Sequence, residues 1–357
     1  MPGASPSRKV AQAVDALRHG WPVKVGEAPL LLPVETAMAK EARSDLALIS
    51  AARAATLKLC NQREAAGGHH PVLIRSPEPL GLADALPIAD PALDLSGALK
   101  GPFKVEPIAC MAEAEAAMEL ARIAGILPAF LFGPKDAREA GAPLTLEASD
   151  IAFWADPERL SIATRARLPI TASEEAEIVA FRKTDDMREH VALVIGDPNH
   201  DKVPLVRLHS ECLTGDIFSS LKCDCGPQLD AALAAMAEEE KQGGWGILLY
   251  LRQEGRGIGI INKMRAYRLQ DAGFDTVDAN ARLGLPVEAR DFATAARMLD
   301  LLGAETIRLM TNNPAKVEAL EGAGLTIAER VQHQLPANPH NMRYLDTKRD
   351  RSGHLLR

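Results

Sequence analysis

Three cysteines that lie close together carry the clearest chemistry in this sequence. Cys212, Cys223 and Cys225 form a C-x10-C-x-C array. Cys223 and Cys225 are too close along the chain to pair comfortably as a disulfide, whereas two thiolates one residue apart can both turn onto a single ion. Soft sulfur ligands favour Zn²⁺ over Mg²⁺ or Ca²⁺. The array therefore predicts a zinc site.

The number of protein ligands distinguishes a structural zinc from a catalytic one. A structural zinc is usually closed by four protein ligands, and no fourth cysteine lies nearby. Three ligands with one open position are typical of a catalytic zinc, which acidifies a bound water. His209 stands just before the array and is the alternative fourth ligand of a structural site. The spacing alone leaves both interpretations open.

Predicted strands would bring further polar residues to the same edge of a sheet. Residues 191–197 and 203–211 are expected to be strands, and the second strand ends at Cys212. In α/β sheets, ligands bind at the carboxyl ends of the strands. Residues 245–253 form a continuous apolar run that indicates a strand buried on both faces, and residues 228–241 form a helix before it.

The turn after the buried strand, EGRGIG, has the composition of a phosphate-binding loop. Glycines let backbone N–H groups approach phosphates, and a helix N-terminus favours negative charge. A solvated basic helix face is the alternative, because the motif is neither a Walker loop nor a dinucleotide fingerprint; beside a zinc site the phosphate interpretation is the better one. Four basic side chains lie close by: Arg252, Arg256, Lys263 and Arg265. Thr311, Asn312 and Lys316, at the end of a strand over 306–311, indicate a second anion site.

Length and composition limit the classes of protein that this chain can belong to. A chain of 357 residues is too long for one ordinary core, so two domains are expected. Its 47% hydrophobic and 25% charged residues are typical of a soluble globular protein, and a net charge of −7 argues against broad nucleic-acid binding. The sequence contains no apolar run of signal-peptide or membrane-spanning length. The prediction is a cytoplasmic protein with no membrane partner.

The first half of the chain alternates short strands and helices, which indicates an α/β or α+β domain. Helices are expected over residues 10–19, 37–59 and 112–124, and strands over 21–25, 28–35, 71–76 and 127–133. A short helix over residues 168–182 is expected to link the halves. The polar tail, residues 336–357, is expected to pack across a neighbour or fray.

Five motifs in the second half of the chain occur in the order found in one enzyme family. They are RLHSECLTGD, LKCDCGPQL, RQEGRGIGIINKMRAY, TNNPAK and YLDTK. In this respect residues from about 188 to 357 resemble GTP cyclohydrolase II. The resemblance implies a three-layer α/β/α domain, a homodimer, one Zn²⁺ per subunit, and Mg²⁺ with the GTP triphosphate. It also implies conversion of GTP to 2,5-diamino-6-(5-phospho-ribosylamino)pyrimidin-4(3H)-one, formate and pyrophosphate, the first step of riboflavin biosynthesis.

The resemblance also implies roles for individual residues. The zinc ligands are the three cysteines of the array. Tyr267 matches a family tyrosine that lies close to the base and is needed for ring opening. Either Glu211 or Glu254 would accept hydrogen bonds from guanine. The residues expected to bind GTP are Arg207, Leu208, His209, Ser210, Glu211, Gln228, Glu254, Gly255, Arg256, Thr276, Thr311 and Lys316.

Two more residues match family positions that act on the α-phosphate. Arg290 matches the proposed nucleophile, but an arginine stays protonated and is a poor nucleophile. Electrostatic stabilisation of phosphoryl transfer is an equal alternative for it. The family's proton acceptor two residues earlier is an aspartate, and here the position holds Glu288. The carboxylate is retained on a side chain that is one methylene longer.

The first half resembles 3,4-dihydroxy-2-butanone-4-phosphate synthase in three segments: KVAQAVDALRHGWPVKV, DLALISAARAATLKL and AMELARIAGILPA. Where that family has an acidic metal-binding loop, this chain has only Glu27 and Glu35. The family's metal-binding histidine segment aligns with residues 113–116, Glu-Ala-Glu-Ala. Without clustered oxygen ligands Mg²⁺ has no site. We expect a degenerate, non-catalytic domain over residues 1–175, followed by a cyclohydrolase domain over residues 185–357.

Other classes of function remain as alternatives at this point. A zinc-containing GTP-binding regulatory protein would bind GTP without turnover. A bifunctional enzyme would also make 3,4-dihydroxy-2-butanone 4-phosphate from ribulose 5-phosphate. A truncated reaction would stop at a formamidopyrimidine after one hydrolysis. The products formed from GTP separate most of these alternatives.

Overall fold

The computed structural model describes residues 5–65, 68–94, 100–137, 143–183, 188–198 and 202–355. It contains two seven-stranded sheets and divides into two compact units. Unit 1 comprises Met1–Asp156 and Ile258–Glu288, and unit 2 comprises Pro157–Gly257 and Ala289–Arg357. The predicted mixed α/β fold class is confirmed. None of the helices in these ranges is long and apolar enough to cross a membrane.

The strands fall into one sheet per unit. The sheet of unit 1 has the order β5-β4-β3-β6-β2-β1-β7, and that of unit 2 has the order β14-β13-β11-β12-β10-β9-β8. The strands of unit 1 are β1 (Val23–Val25), β2 (Leu31–Pro33), β3 (Ser44–Ile49), β4 (Val72–Leu80), β5 (Lys104–Glu106), β6 (Ala129–Phe132) and β7 (Leu144–Leu146). Those of unit 2 are β8 (Leu160–Arg167), β9 (Ala176–Lys183), β10 (His190–Ile195), β11 (Leu205–Ser210), β12 (Gly246–Leu251), β13 (Thr306–Met310) and β14 (Thr326–Val331).

Helices occur in both units. They are α1 (Pro6–Arg18), α2 (Ala51–Thr56), α3 (Leu82–Ala89), α4 (Met111–Ala124), α5 (Ala148–Ala155), α6 (Cys225–Lys241), α7 (Glu254–Gly257), α8 (Gly259–Asp271), α9 (Thr276–Arg282), α10 (Phe292–Leu301), α11 (Pro314–Gly322) and α12 (Met342–Ser352). The predicted helices over 10–19 and 112–124 are confirmed as α1 and α4. A Ser5 cap begins α1, and Gly125, with φ of 75°, ends α4.

The predicted helix over residues 37–59 is wrong. The segment instead contains β3 and the short helix α2. Leu48 and Ile49 are fully buried in the sheet, and the Ser50 hydroxyl accepts a hydrogen bond from the Arg53 N–H to begin α2. The alanines favour a helix locally, but strand pairing with β4 and β6 buries more apolar surface and overrides that preference.

The predicted linking helix over residues 168–182 is also wrong. Residues 176–183 form β9, which pairs antiparallel with both β8 and β10. The glutamates of this stretch resemble a helix start, but Val179 and Phe181 are fully buried in the sheet of unit 2. Strands β8 and β9 therefore belong to the second sheet. The assignment of separate activities to residues 1–175 and 185–357 stays a prediction.

The sheet of unit 2 is covered by helices on both faces. Successive residues of a strand point to opposite faces, and two hydrophobic clusters follow this alternation. Val206 packs in one cluster with Met298 of α10 and Leu320 of α11. Leu205 packs in the other with Met236 of α6. Because β11 runs parallel to both β12 and β13, the carboxyl ends of these strands share one edge.

The polar tail forms a helix within unit 2 instead of fraying. Lys348 of α12 places Nζ 2.9 Å from Asp224 Oδ1. The Leu355 N–H donates to the carbonyl of Asn312 at 2.8 Å. The sequence left packing and fraying both open, because the anchoring contact is an ion pair with a residue far away along the chain.

Residues 258–288 interrupt unit 2 in the sequence but pack within unit 1. Arg265 of α8 forms an ion pair with Glu35, with Nη2 2.7 Å from Oε1. Asn262 Nδ2 donates to the carbonyl of Gly125 at 3.3 Å. Both partners lie in the first half of the chain, so that half holds this segment in place.

Replacing Gly284 by alanine is expected to lower the free energy of unfolding by about 2 to 4 kcal/mol. Gly284 has φ of +74°, and a Cβ atom there would lie 2.6 Å from Ser50 Oγ. Gly273→Ala is the matched control, since Gly273 has φ of +101° but no described atom within 4 Å of its added Cβ. Denaturant unfolding of both variants is the measurement. Equal destabilisation would show that the close contact with Ser50 contributes nothing.

Candidate active site

The three cysteines of the array converge at the carboxyl edge of the sheet of unit 2. Cys212 lies two residues after β11, Cys225 is the first residue of α6, and Cys223 lies two residues before that helix. Their three Sγ atoms all lie within 4.8 Å of one another, and Cys212 Sγ is 3.7 Å from Cys223 Sγ. Among the residues that the structure describes, this is the one group of three or more ligand side chains suited to a metal ion.

Two glycines allow the cysteines to approach each other. A Cβ atom added at Gly215 would lie 2.9 Å from Cys223 Sγ and 3.1 Å from Cys212 Sγ. One added at Gly226 would lie 2.4 Å from the carbonyl oxygen of Gly215. A larger residue at Gly215 would therefore displace the sulfurs, and one at Gly226 would displace the backbone of Gly215.

The chemistry of the donor set fits a soft divalent cation. Hydrogen bonding to Cys212 and Cys223, together with burial, raises the pKa of the Cys225 thiol well above its ordinary value. Three thiolates so close together repel one another, and a bound Zn²⁺ would relieve that repulsion. Cys225 is also the first residue of α6, where the helix dipole favours a negative sulfur.

His209 is buried beside the cysteines but is engaged elsewhere. Its Nε2 lies 3.0 Å from Asp216 Oδ1, and the Tyr250 hydroxyl donates to Asp216 Oδ2 at 2.8 Å. The backbone N–H of Cys212 also donates to this carboxylate, at 3.0 Å. Neither ring nitrogen of His209 belongs to the group of ligand atoms that lie within 4.8 Å of one another, which favours three thiol ligands over a structural site closed by His209. Asp216 fixes the backbone of the first ligand.

Arg207 is a buried cation at the same edge of the sheet. Its Nη1 donates to the Met310 carbonyl at 3.0 Å, and its Nη2 donates to Gln228 Oε1 at 2.5 Å. Burial lowers the pKa of Arg207 to about 10, so it is still protonated at neutral pH. Its Nε has no hydrogen-bond partner among the described residues. A buried unpaired donor costs about 1 to 3 kcal/mol, and an acceptor atom of a ligand would remove that cost.

Lys316 and Thr311 add a second buried cation and a hydroxyl after β13. Lys316 Nζ donates to the Leu208 carbonyl of β11 at 2.9 Å. Thr311 Oγ1 accepts from the Asn313 N–H at 3.1 Å, at the start of α11. The predicted strand–loop–helix arrangement is present, and it lies beside the strand that carries Arg207.

The glycine-rich turn after β12 has unusual backbone geometry. Gly255 and Arg256 have φ of 63° and 62°, in the left-handed region. Glu254 is buried, with one carboxylate oxygen 2.7 Å from the Leu213 N–H and the other 2.8 Å from the Gly255 N–H. This carboxylate thus ties the turn to the segment after Cys212. Glu211, the other predicted guanine acceptor, is half-buried and lies 2.9 Å from Arg252 Nε.

Not every predicted site residue belongs to unit 2. Tyr267, Thr276 and Glu288 lie in the segment that packs within unit 1. Tyr267 is half-buried with Lys263 Nζ 5.7 Å from its ring centroid, and Glu288 is exposed. Arg290 belongs to unit 2 and has its guanidinium carbon 5.3 Å from the Phe292 ring centroid. The other predicted GTP-binding residues lie in unit 2: Arg207, Leu208, His209, Ser210, Glu211, Gln228, Glu254, Gly255, Arg256, Thr311 and Lys316.

Sequence reasoning missed four polar residues, all buried or partly buried, that support this site. They are Asp216, Tyr250, Asp224 and His333. Tyr250 of β12 is the register partner of His209 of β11. The sequence did offer a signal for Tyr250, because it places a hydroxyl group within an otherwise apolar strand. His333 Nε2 lies 2.9 Å from the Gln228 carbonyl oxygen, a contact between distant segments that gives no local pattern.

His333 is expected to make stability depend on pH. Burial and the nearby Arg207 lower its pKa to about 4. In the unfolded state the pKa of this histidine is about 6.5. Between about pH 6.5 and pH 4 the unfolded state therefore binds a proton that the folded state does not bind. The free energy of unfolding falls as the pH falls through this range, by about 2 to 3 kcal/mol in all. Urea unfolding at several pH values, compared with His333→Gln, measures the difference. Parallel curves for the two proteins would contradict this.

Comparisons with known proteins match most of this chain. A family model described as GTP cyclohydrolase II matches residues 161–332. The GTP cyclohydrolase-2 of Azospirillum brasilense is 39% identical over 371 aligned residues, which cover 98% of this chain and 94% of that protein. The riboflavin biosynthesis protein RibBA of Salinispora tropica is 54% identical over 56% of this chain and 49% of its own length. RibBA of Nocardia farcinica is 48% identical over 68% of this chain and 62% of its own length.

The chain thus spans nearly all of the Azospirillum relative but only about half to two thirds of these RibBA relatives. A solved structure described as RibBX, a two domain 3,4-dihydroxy-2-butanone 4-phosphate synthase from A. baumannii, aligns with 91% of this chain at 17% identity. Its TM-score of 0.30 is too low to carry a conclusion. On the family match and the near full-length relative, the chain belongs to the GTP cyclohydrolase II family.

Proposed function

We propose that this protein hydrolyses GTP to 2,5-diamino-6-(5-phospho-ribosylamino)pyrimidin-4(3H)-one, formate and pyrophosphate, the first step of riboflavin biosynthesis. The observation that carries the proposal is the convergence of three thiols at a sheet edge that also holds the buried cations Arg207 and Lys316. The reaction needs water at C8 of guanine twice, and it needs positive charge at the triphosphate. This edge offers groups for both.

Cys212, Cys223 and Cys225 would hold the Zn²⁺, which when bound supplies a Lewis acid able to activate water near neutral pH. The protein contributes the rigid frame around it. Glu254 accepts from the N–H that follows Cys212, and Asp216 accepts from the N–H of Cys212 itself. Both contacts hold the first thiol in place before substrate arrives.

The cationic residues would bind and orient the triphosphate. Arg207 offers the unpaired Nε donor, and Lys316 adds a second buried charge. In a water-poor site such charges are worth more than at an exposed surface. Mg²⁺ would accompany the triphosphate, as it does with most nucleoside triphosphates.

The residues that match family positions would have further roles in the reaction. Glu211 or Glu254 would accept from the guanine edge, and Tyr267 would lie near the base. Arg290 would stabilise charge at the α-phosphate, and Glu288 would accept a proton. We also propose a homodimer and a cytoplasmic location, in keeping with cysteines that act as metal ligands and not as disulfides.

We propose that unit 1 does not make 3,4-dihydroxy-2-butanone 4-phosphate. Glu35, one of the two carboxylates in place of the synthase's acidic loop, is committed to Arg265 and to the Leu127 N–H, which lies 2.6 Å from its Oε2. Glu115, in the segment aligned with the synthase's histidine, lies 2.6 Å from His70 Nδ1. These contacts leave the carboxylates poorly placed to share one Mg²⁺.

One assay tests these proposals together. The protein is incubated with GTP and Mg²⁺, and the products are identified by mass, with formate quantified separately. Formate with the diaminopyrimidine phosphate supports the proposed reaction. Bound but unchanged GTP would indicate a regulatory protein, and a formamidopyrimidine would indicate a truncated reaction. A parallel sample with ribulose 5-phosphate and varied Mg²⁺ is expected to give no butanone phosphate.

A further inference from the structure

A buried ion pair joins the C-terminal helix to the residue between two of the thiol ligands. Lys348 of α12 lies 2.9 Å from Asp224 Oδ1, and the two side chains are 13% and 8% exposed. Asp224 stands between Cys223 and Cys225. Separating a buried pair by removing one partner is costly, because the other charge is then left uncompensated.

Hydrogen bonds continue from this ion pair to a predicted GTP-binding residue. The second oxygen of Asp224, Oδ2, accepts from Gln228 Nε2 at 2.6 Å. The other end of the Gln228 amide, Oε1, accepts from Arg207 Nη2 at 2.5 Å. A chain of four side chains therefore runs from α12 to the buried guanidinium on β11.

The donor and acceptor types permit only one orientation of the Gln228 amide. An ionised aspartate only accepts and an arginine only donates. Reversing the amide would place its NH₂ group against Arg207 and its oxygen against the Asp224 carboxylate, so two hydrogen bonds would become two repulsive contacts. Asp224 thus sets the amide, and Lys348 holds Asp224.

The same residues border space that a ligand can occupy. Asp224 and Gln228 line a cavity of about 600 Å³, together with Leu345 and Arg349 of the C-terminal helix. Within this helix, Lys348 Nζ also lies 4.3 Å from the centroid of the Tyr344 ring, which helps to orient the lysine side chain. Asp224 and Gln228, the residues that orient Arg207, therefore line this cavity.

We propose that Lys348 and Asp224 are positioning residues for GTP. They fix the Gln228 amide so that Arg207 is held ready for an anionic group of the substrate before it binds. The inference rests on the proposed function, and it adds to that function a role for the C-terminal helix. It assigns these two residues no contact with the reacting atoms.

Lys348→Met is expected to raise the KM for GTP about 10- to 100-fold, in line with the loss of a charge-assisted hydrogen bond, with a smaller change in kcat. Zinc content per subunit is expected to stay unchanged, because the three sulfurs are retained. Lys348→Arg keeps the charge and is expected to restore most of the affinity. Lys241→Met is the matched control, since the ion pair of Lys241 with Glu238, at 3.6 Å, is exposed; this variant should leave both constants unchanged.

A double-mutant cycle separates positioning from a general loss of structure. Gln228→Met alone is expected to raise KM by a similar factor, and the double variant with Lys348→Met is expected to add little more, because both break the same chain of contacts. Multiplicative effects would contradict the proposal, as would loss of zinc in Lys348→Met. If Lys348→Met does not fold, Lys348→Gln replaces it in the same cycle.

The wild-type protein in the same assay distinguishes the two levels of inference. No formate from the wild type would contradict the proposed function. Normal wild-type turnover together with an unchanged KM in folded Lys348→Met or Lys348→Gln would contradict the positioning role alone.

Discussion

Replacing any one of Cys212, Cys223 and Cys225 by serine is expected to remove zinc and to lower formate release at least about 10³-fold. A serine hydroxyl is a hard, protonated ligand and does not replace a thiolate on Zn²⁺. Because the Sγ atoms all lie within 4.8 Å of one another, the loss of one leaves only two sulfurs to hold the ion. Zinc per subunit by mass spectrometry and formate by a coupled assay are the measurements.

Two further variants make this prediction specific. Gly215→Ala retains every ligand but places a Cβ atom 2.9 Å from Cys223 Sγ, so it is expected to lose zinc and formate in the same proportion. Cys60→Ser changes an exposed free cysteine and is expected to change neither. Pyrophosphate release should be affected less than formate, because it depends on the cations. Full formate production by a zinc-free triple serine variant would refute the metal assignment.

The core of this site could be predicted from the sequence because its chemistry is local. The cysteine array and the polar residues at the ends of β11, β12 and β13 each occupy a short stretch of chain. Parallel strands bring their carboxyl ends to one edge, so predicting three strands was enough to predict that these residues meet. No long-range contact had to be guessed.

The parts that could not be predicted depend on contacts between distant segments. The alanines near residue 51 favour a helix, and only pairing of β3 with β4 and β6 shows that the preceding residues form a strand. Lys348 has no local pattern that points to Asp224, and the tail was therefore expected either to pack across a neighbour or to fray. Asp216 is four residues from Cys212, but its contacts with His209 and Tyr250 depend on the register of two strands.

The sequence also offered no indication that residues 258–288 pack within unit 1. The motif that begins at the glycine turn continues into α8 without a break, so one unit was expected to contain all of it. Glu35 and Gly125 instead anchor α8 within unit 1. Tyr267, Thr276 and Glu288 therefore belong to unit 1, the unit that is proposed to carry out no reaction of its own.

Glu288→Gln is expected to lower kcat about 10²- to 10⁴-fold and to leave the KM for GTP nearly unchanged. The proposed role of Glu288 is to accept a proton during the attack at the α-phosphorus, an interaction that exists only in the transition state. An amide has the size of the carboxylate but accepts no proton. Steady-state kinetics of pyrophosphate release provide the measurement.

Two companion variants decide what a loss of turnover means. Glu288→Asp shortens the side chain by one methylene to the family's residue and is expected to retain or improve activity. Glu321→Gln, at an exposed position of α11, removes a carboxylate of the same type and is expected to change neither constant. A raised KM with normal kcat in Glu288→Gln would make Glu288 a binding residue, because uniform binding of substrate and transition state changes KM alone. Loss of activity in Glu288→Asp as well would mean that the reach of the glutamate, and not only its carboxylate, is required in this chain.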